Sequence, residues 1–274
     1  MKKTRFPVAE AWIALAALIF VVPVLLIFVT ALKPDSEIVK FASLLPKSPT
    51  WANFREVLGT PEEIPLARWF LNSLAISTCT SALVLTVASL AAYAVARLDL
   101  PGKKPVFALI VGTLMVPGQI LLVPVYLLLN KIGWLDTPLA LVVPAGGSAF
   151  GFFLLHSFFK GLPRELEEAA ELDGCSRWGI FQHVVLPLSR APMAALAIFT
   201  FIGSWNDFLG PLVYLDSVDH YTLPVGIALF QSSYSNEYGL TLAASVLCTI
   251  PTIAAFLIFQ KHILAGMASS GLKE

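Results

Sequence analysis

The sequence predicts an all-α membrane protein with six transmembrane helices, and three observations point to this fold class. The chain has 274 residues, of which 57% are hydrophobic and 13% are charged, whereas soluble domains carry about 25% charged residues. Its mean hydropathy is +0.78. Six apolar runs, each of about twenty residues or more, are long enough to cross a bilayer as helices. Lysine and arginine residues are also distributed unevenly between the segments that join these runs.

The predicted spans form a single transmembrane domain over residues 1–274. They cover residues 13–32, 69–96, 105–129, 138–159, 192–214 and 240–263. The first run is longer than the apolar part of a signal peptide and lacks a nearby small-residue cleavage site, so we interpret it as a membrane helix. Pro23 predicts a kink within it. The polar residues between the first two runs predict short surface helices, for instance over 51–58.

Several polar residues lie inside the predicted spans. The second run carries Asn72, Ser73, Ser77, Thr78, Thr80 and Ser81. These side chains can bond to neighbouring helices, and we favour that packing role over substrate contact. The Gly146-Gly147-Ser148 stretch of the fourth run is typical of a close approach between helices.

Three residues are candidates for a substrate pathway. Gln119 follows Pro117 and Gly118, which break the third run, and such a break at membrane depth needs surrounding protein or a cavity. A simple packing kink explains the break equally well. Asn206 and Asp207 lie in the fifth run, where an ionisable residue indicates a functional site. The alternative is that Asp207 meets water near the outer end of its helix.

The positive charges predict the orientation. With the N-terminus in the cytoplasm, 12 of the 18 lysine and arginine residues face inward and six face outward. This excess agrees with the positive-inside rule. Both termini and the loop over residues 160–190 are therefore expected in the cytoplasm.

Residues 161–187, here called the polar segment, interrupt the apolar sequence with a dense group of carboxylates. Pro163 suits a first helical turn, and Glu165, Glu167 and Glu168 complement the positive end of the helix dipole. Gly174 predicts a left-handed helix end, and Ser176 predicts the cap of a second short helix. The apolar positions of that helix are Ile180, Phe181, Val184 and Val185. The spacing predicts one shared face for Leu162, Leu166, Ala169, Ala170 and Asp173. A solvated connector between spans is the plainer alternative.

The polar segment resembles the EAA loop of ABC importer permeases. Glu168-Ala169-Ala170 is followed after three residues by Gly174, and after nine more by Val184, any residue, Leu186 and Pro187. Asp173 and Phe181 resemble the carbohydrate-importer branch of that family, as does the stretch Asn206 to Leu209 with Pro211 and Leu212. Two positions depart from the pattern: Val184 replaces a commoner isoleucine, and Cys175 stands where a small residue is usual.

The resemblance implies a type I ABC importer permease of the carbohydrate (maltose-type) branch, which moves its solute by alternating access. It implies that the face of Ala169, Ala170 and Gly174 docks on an ATPase subunit. Glu168 is expected to make a polar contact there, and Asp173 to brace the turn. Leu186 and Pro187 are expected to anchor the loop to the fifth span.

The same resemblance implies the partners. A second homologous permease completes the pathway, two ABC ATPase subunits hold ATP and Mg, and an extracytoplasmic solute-binding protein delivers the solute. Residues 215–238 form an outer loop that can face that protein in related importers. The chain itself needs no cofactor and resides in the bilayer of a prokaryotic cytoplasmic membrane, with no role for nucleic acid.

The residues disfavour two other classes of protein. A membrane enzyme is disfavoured because His156, His183, His220 and His262 show no metal spacing, and no nucleophile elbow or phosphate loop is present. An ion-coupled secondary transporter should carry paired ionisable residues in mid-membrane, and the span interiors are nearly free of charge. The solute stays open, so a polyol or glycerol phosphate is an alternative to a sugar.

Overall fold

The computed structural model describes residues 7–40, 43–59, 65–233 and 238–270, and the regular elements of these residues are all helical. The basic terminal residues Lys2, Lys3, Arg5 and Lys273, used above to predict the orientation, lie outside this range. The α-helices are α1 (Pro7–Ala31), α2 (Asp35–Lys40), α3 (Ala52–Gly59), α4 (Leu66–Arg97), α5 (Lys103–Gly112), α6 (Leu122–Lys131), α7 (Leu139–Ala145), α8 (Ala149–Lys160), α9 (Glu165–Leu172), α10 (Arg177–Ile180), α11 (Leu186–Leu188), α12 (Arg190–Trp205), α13 (Leu209–Tyr214), α14 (Leu223–Ser233) and α15 (Tyr238–Ser270). Short 3-10 turns cover Thr113–Met115, Gly118–Leu121 and Val218–His220, and a π-helical turn covers Phe181–Val185.

The chain divides into two compact units, and the first contains the residues up to Ala67 together with Gly226–Pro251. Its helix α1 continues through Pro23, so the expected kink does not end it. The exposed apolar surface of α1, with Phe20 78% exposed, is typical of a helix that faces lipid. The amide of Asn53, at the start of α3, donates to the carbonyl oxygen of Ala31 at 2.8 Å. This bond fixes the predicted surface helix against the end of α1.

The second unit contains Arg68–Val225 and the residues from Thr252 onward. Its buried core joins α4, α8 and α12 to the second half of the polar segment. The core side chains are Val84, Ala88, Ala92, Tyr93, Phe152, Leu155, Phe159, Ile180, Phe181, Val185 and Leu196. Within a bilayer, close van der Waals packing of such side chains holds the helices together, because lipid is as apolar as the core itself. The polar segment is therefore built into the fold of this unit and is not a free connector.

Glycines allow the helices of this core to approach closely. A Cβ atom on Gly146 would lie 2.8 Å from Cδ2 of Leu83, and one on Gly151 would lie 3.2 Å from the Cβ of Ala88. The close approach predicted for the fourth run is thus confirmed at Gly146. Gly146 also falls at the break between α7 and α8.

The number of membrane spans is only partly settled by helix length and apolarity. Three described helices could cross a bilayer: Glu10–Ala31, Leu66–Arg97 and Leu139–Lys160. Two bent pairs could each form a further span: Lys103–Met115 with Gly118–Lys131, bent by 94°, and Arg177–Leu188 with Arg190–Trp205, bent by 77°. The first bend lies at the predicted Pro117–Gly118 break. The sixth predicted span falls within α15, so the count of six stays a prediction.

The fifth predicted span differs from the structure in one respect. We expected one helix over 192–214, but α12 ends at Trp205 and α13 begins only at Leu209. Pro211 explains the interruption, because it has no N–H to donate to the carbonyl of Asp207. Asn206 and Asp207 therefore lie in a break between two helices.

Candidate functional site

The polar segment folds as the predicted helix, turn and helix. Gly174 adopts φ +85°, and the N–H of Cys175 donates to the carbonyl of Ala170 at 2.9 Å. The Ser176 hydroxyl accepts a hydrogen bond from the N–H of Gly179 at 3.1 Å and so caps α10. Glycine tolerates a positive φ without the penalty that a Cβ imposes, which explains why the turn lies at this residue.

The second half of the segment is anchored in the core. Ile180 and Val185 are fully buried, and the ring of Phe181 lies 5.0 Å from that of Tyr93. The Tyr93 hydroxyl also donates to the carbonyl of Arg177 at 3.2 Å. The helix–turn–helix is therefore held to α4 by both packing and a hydrogen bond.

Leu186 and Pro187 form the start of α11, which leads to the sharp bend before α12. Leu186 packs against the buried core, whereas Pro187 is exposed. The bend centres on Ser189, which is fully buried and whose hydroxyl donates to the carbonyl of Val185 at 2.6 Å. This places both residues next to α12, and their anchoring role stays a prediction.

The predicted shared face of α9 is divided in the structure. Ala170 packs against the buried core, whereas Ala169 is exposed, together with Glu168, Asp173 and Gly174. Consecutive residues on an α-helix point about 100° apart, and here that rotation turns Ala170 toward the core and Ala169 toward solvent. The solvent-exposed side of the polar segment thus offers a partner Ala169, Glu168, Asp173 and Gly174.

The sequence interpretation missed two large apolar side chains of the polar segment that are exposed to solvent. Leu172 is 90% exposed at the end of α9, and Trp178 is 56% exposed in α10. Arg177 and Glu171 form an ion pair across the turn between them. Large apolar residues in an otherwise charged segment were the signal that could have revealed this surface, since exposed apolar patches mark interaction sites.

A buried ion pair fixes the inner side of α9. Nε of Arg97 donates to Oε1 of Glu167 at 2.5 Å, and their side chains are only 4% and 10% exposed. Nη1 of Arg97 also donates to the carbonyl of Leu162 at 3.2 Å. The sequence predicts only a helix-dipole role for Glu167. The structure shows that it also binds the last residue of α4.

A cavity of about 380 Å³ lies in the second unit, between α4, α7, α8 and the α12–α13 break. Its lining is Ile76, Thr80, Val84, Leu141, Ala145, Ser148, Phe150, Phe199, Thr200, Gly203, Ser204, Asp207 and Pro211. Asp207 is the ionisable residue among these, and its carboxylate accepts a long hydrogen bond of 3.4 Å from the N–H of Gly210. The hydroxyl of Thr80 is buried and has no hydrogen-bond partner among the described residues.

Only one of the three predicted pathway residues lines this cavity. Asp207 does. Asn206 is exposed, and its amide donates to the carbonyl of Ile202 at 2.9 Å. Gln119 is exposed in the 3-10 turn at the bend of the third run and does not line the cavity. Thr80 does line the cavity, although we had favoured packing for the polar residues of its helix.

Other polar residues of α4 hold the outer loop instead of neighbouring helices. The amide of Asn72 donates to the carbonyl of Asp219 at 2.8 Å, and the Ser73 hydroxyl accepts from the N–H of Leu223 at 2.8 Å. The Ser81 hydroxyl donates within its own helix, to the carbonyl of Ser77.

Asp136 fixes the same loop from the turn before α7. Its carboxylate accepts hydrogen bonds from the N–H groups of Asp216 and Ser217 at 3.0 and 2.9 Å, and from the Ser217 hydroxyl at 2.5 Å. His220 lies 3.1 Å away. Partial burial raises the pKa of Asp136, but these hydrogen bonds outweigh it and hold the pKa below its ordinary value.

No group of three or more histidine, cysteine or acidic residues that could hold a metal ion occurs within the part of the chain that the structure describes. The candidate functional sites are the solvent-exposed side of the polar segment and the cavity beside Asp207.

Residues 85–269 match a protein family described as the inner membrane component of binding-protein-dependent transport systems. This chain belongs to that family. The match includes the whole polar segment and much of the cavity lining. The permease is therefore an integral inner-membrane component of a transport system, as its resemblance to the EAA loop implied.

Relatives of the permease agree with this assignment. It is 34% identical to the arabinooligosaccharides transport system permease protein of Halalkalibacterium halodurans, with 100% of both chains covered. It is 32% identical to the diacetylchitobiose uptake system permease protein of Streptomyces coelicolor, over 96% of this chain and 87% of that one.

A solved structure shares the fold of the permease. A chain of a bacterial ABC transporter involved in the import of the acidic polysaccharide alginate superposes with a TM-score of 0.81. The superposition covers 93% of this chain and 94% of that one at 20% sequence identity. The importer-type helical fold is thus confirmed.

Proposed function

We propose that this permease carries a carbohydrate, and most specifically a short oligosaccharide, across the cytoplasmic membrane in an ATP-driven importer. The named substrates of its relatives in Halalkalibacterium and Streptomyces are oligosaccharides. The observation in this chain that carries the proposal is the cavity beside Asp207, because its lining suits a polyhydroxylated ligand.

The cavity combines hydrogen-bonding groups with aromatic surface. Thr80, Ser148, Thr200 and Ser204 supply hydroxyl groups, and Asp207 supplies a carboxylate that can accept from sugar hydroxyls. The rings of Phe150 and Phe199 meet edge to face at 6.3 Å and can cover the apolar face of a sugar ring.

One hydroxyl in the wall points to an absent ligand. A buried polar group normally has a hydrogen-bond partner, and the Thr80 hydroxyl has none among the described residues. Rotation of this side chain toward the cavity that Thr80 lines would let a sugar hydroxyl satisfy it. The volume of about 380 Å³ falls at the small end of ligand sites, which suits one sugar unit with the rest of the pathway supplied by a second, homologous permease.

The polar segment would couple this cavity to ATP hydrolysis. Its solvent-exposed side chains include Ala169, Leu172, Trp178 and Glu168, a mixture of apolar and charged groups that suits a protein partner. We assign this surface to one of two ABC ATPase subunits, which hold the ATP and Mg. A solute-binding protein, implied by the family, delivers the sugar on the opposite side, and both termini lie in the cytoplasm.

Co-purification tests the coupling half of this proposal. Leu172→Ser removes apolar surface from a side chain that is exposed and not part of the core. The tagged chain should therefore still purify with the second permease but lose the ATPase. Val218→Ser, at an exposed valine of the outer loop, is the matched control and should retain both partners.

Reconstituted transport tests the substrate half. Uptake of labelled oligosaccharide into vesicles should require ATP and the binding protein, and arabino- and chito-oligosaccharides should compete for it better than polyols or glycerol phosphate. A chain that transports alone and without ATP would contradict the proposal and favour a secondary transporter.

A further inference from the structure

A second cavity, of about 460 Å³, lies in the second unit where α4 and α8 end and α5 begins. Basic side chains dominate its lining: Arg97, Lys103, Lys104, Lys160 and Arg164. No aspartate or glutamate is among the described residues that line it. It is separate in its lining from the cavity beside Asp207.

Three of these five charges have no counter-ion among the described residues. Arg97 is neutralised by Glu167, and Lys103 lies 3.4 Å from Asp99. Lys104, Lys160 and Arg164 form no ion pair within the part of the chain that the structure describes. Three like charges around one cavity repel each other, so an anion that binds all three would be favoured.

The position of the cavity indicates the kind of anion. Arg97 and Lys160 are the last residues of α4 and α8, where the predicted spans 69–96 and 138–159 leave the bilayer. Phe107, one turn further along α5, adds apolar lining, and Leu109 on the same helix is 73% exposed. With these predicted spans, the charges fall at the level of the lipid headgroups, and α5 adds exposed apolar surface.

We propose that this cavity binds the phosphodiester headgroup of an anionic phospholipid of the cytoplasmic leaflet. The Arg164 guanidinium can bind two phosphate oxygens with its parallel donors, and Lys104 and Lys160 act as point charges on either side. Basic cavities between membrane helices on the cytoplasmic side are suited to such headgroups. A bound lipid would join the ends of three helices to the residue that precedes α9.

Native mass spectrometry of the full-length chain, purified in a mild non-ionic detergent with its accompanying subunits, tests this site. Short-chain phosphatidylglycerol is titrated against phosphatidylcholine, which carries no net charge. We expect selective binding of phosphatidylglycerol, weakened roughly 25-fold in the double variant Lys104→Gln and Lys160→Gln, about fivefold for each lysine.

The matched control removes two exposed lysines predicted to face outward. Lys47→Gln with Lys131→Gln makes the same change in net charge and should leave the affinity unchanged. An equal loss in this control would overturn the proposal, because it would show that net charge alone attracts the lipid. The unfolding temperature of each variant checks that the fold is retained.

Two further results would also overturn the proposal. Displacement of the lipid by inorganic phosphate at equal concentration would identify a site for free phosphate. Binding by the isolated chain that disappears when an ATPase subunit is present would show that a protein covers the cavity. Because the readout is lipid binding and not transport, neither result bears on the proposed carbohydrate transport.

Discussion

Nε of Arg97 donates a hydrogen bond to Oε1 of Glu167 at 2.5 Å, across 70 residues of sequence. This contact joins the last residue of α4 to the first helix of the polar segment. Since α4 also lines the cavity beside Asp207 with Thr80, the ion pair connects the surface proposed to bind an ATPase with the proposed sugar site. A buried pair of this kind is costly to break singly, because the remaining charge is left without a partner.

The Arg97→Gln variant is therefore expected to lose about 3 kcal/mol or more of stability, measured as a lower unfolding temperature in detergent. Arg68→Gln is the matched control on the same helix. It breaks an exposed pair with Asp219, worth at most about 1 kcal/mol. The double variant Arg97→Gln with Glu167→Gln should be more stable than Arg97→Gln alone, and strict additivity of the two changes would refute a direct interaction.

The turn at Gly174 makes a prediction about backbone conformation. A Cβ there would meet nothing within 4 Å, so only the positive φ opposes substitution. Alanine should cost roughly 1–2 kcal/mol, and asparagine less, because it tolerates this region. Gly133→Ala, at φ +70° with equally open surroundings, controls for strain alone.

Transport by the Gly174 variants then separates two explanations. If an ATPase contacts this position, Gly174→Asn should abolish transport with membrane insertion intact, while Gly133→Ala transports normally. Normal transport by Gly174→Asn would show that only the turn matters and that no partner lies close to it.

Thr80→Val tests the cavity without adding bulk. The Thr80 hydroxyl has no protein partner among the described residues, so its loss should leave stability unchanged or slightly increased. The KM for the transported sugar should rise several-fold. Ser81→Ala, whose hydroxyl bonds within its own helix, should leave KM unchanged. A stability loss in Thr80→Val with unchanged KM would mean that the hydroxyl serves packing.

Asp207→Asn removes the charge of the carboxylate while keeping an oxygen that can accept from Gly210. Hydrogen bonds to a charged group contribute about 1.5–3 kcal/mol, so we expect a KM at least tenfold higher with assembly intact. The neighbouring Asn206 does not line the cavity, and Asn206→Ala should not change the KM. Unchanged uptake kinetics in Asp207→Asn would support a carboxylate that simply meets water.

The low pKa of Asp136 predicts a pH dependence of stability. Because the folded pKa is depressed, the stabilisation is complete above the unfolded value near 3.8 and is lost as pH falls through the folded pKa. Asp136→Asn should cost about 1–2 kcal/mol at pH 7. Its difference in unfolding temperature from the parent chain should shrink below about pH 4, and a constant difference would exclude the carboxylate as its source.

Much of the polar segment could be predicted because its determinants are local. A helix end at a glycine and a helix cap at a serine each depend on only a few residues. Gly174 adopts the predicted left-handed conformation and Ser176 forms the predicted cap. The Arg97–Glu167 pair could not be predicted in this way, because nothing in the local sequence of Glu167 distinguishes it from Glu165 or Glu168. Its burial depends on how α9 packs against α4.

The same distinction explains the pathway residues. The sequence predicts the break at Pro117. The 94° angle of the bend and its direction depend on tertiary packing, and Gln119 does not line the cavity as a result. Thr80 was hidden among the many serine, threonine and asparagine residues of one helix. Only the positions of α7 and α12 around Thr80 show which of these polar residues lines the cavity.

The buried bend at Ser189 has a mechanical consequence. Residues Arg177–Leu188 and α12 meet there at 77°, and both sides of the bend pack in the same core. A displacement of the polar segment by a partner would therefore be transmitted to α12 through this bend. The cavity-lining residues of α12 are Phe199, Thr200, Gly203 and Ser204. A small tilt of α12 would therefore change the width of the proposed sugar cavity.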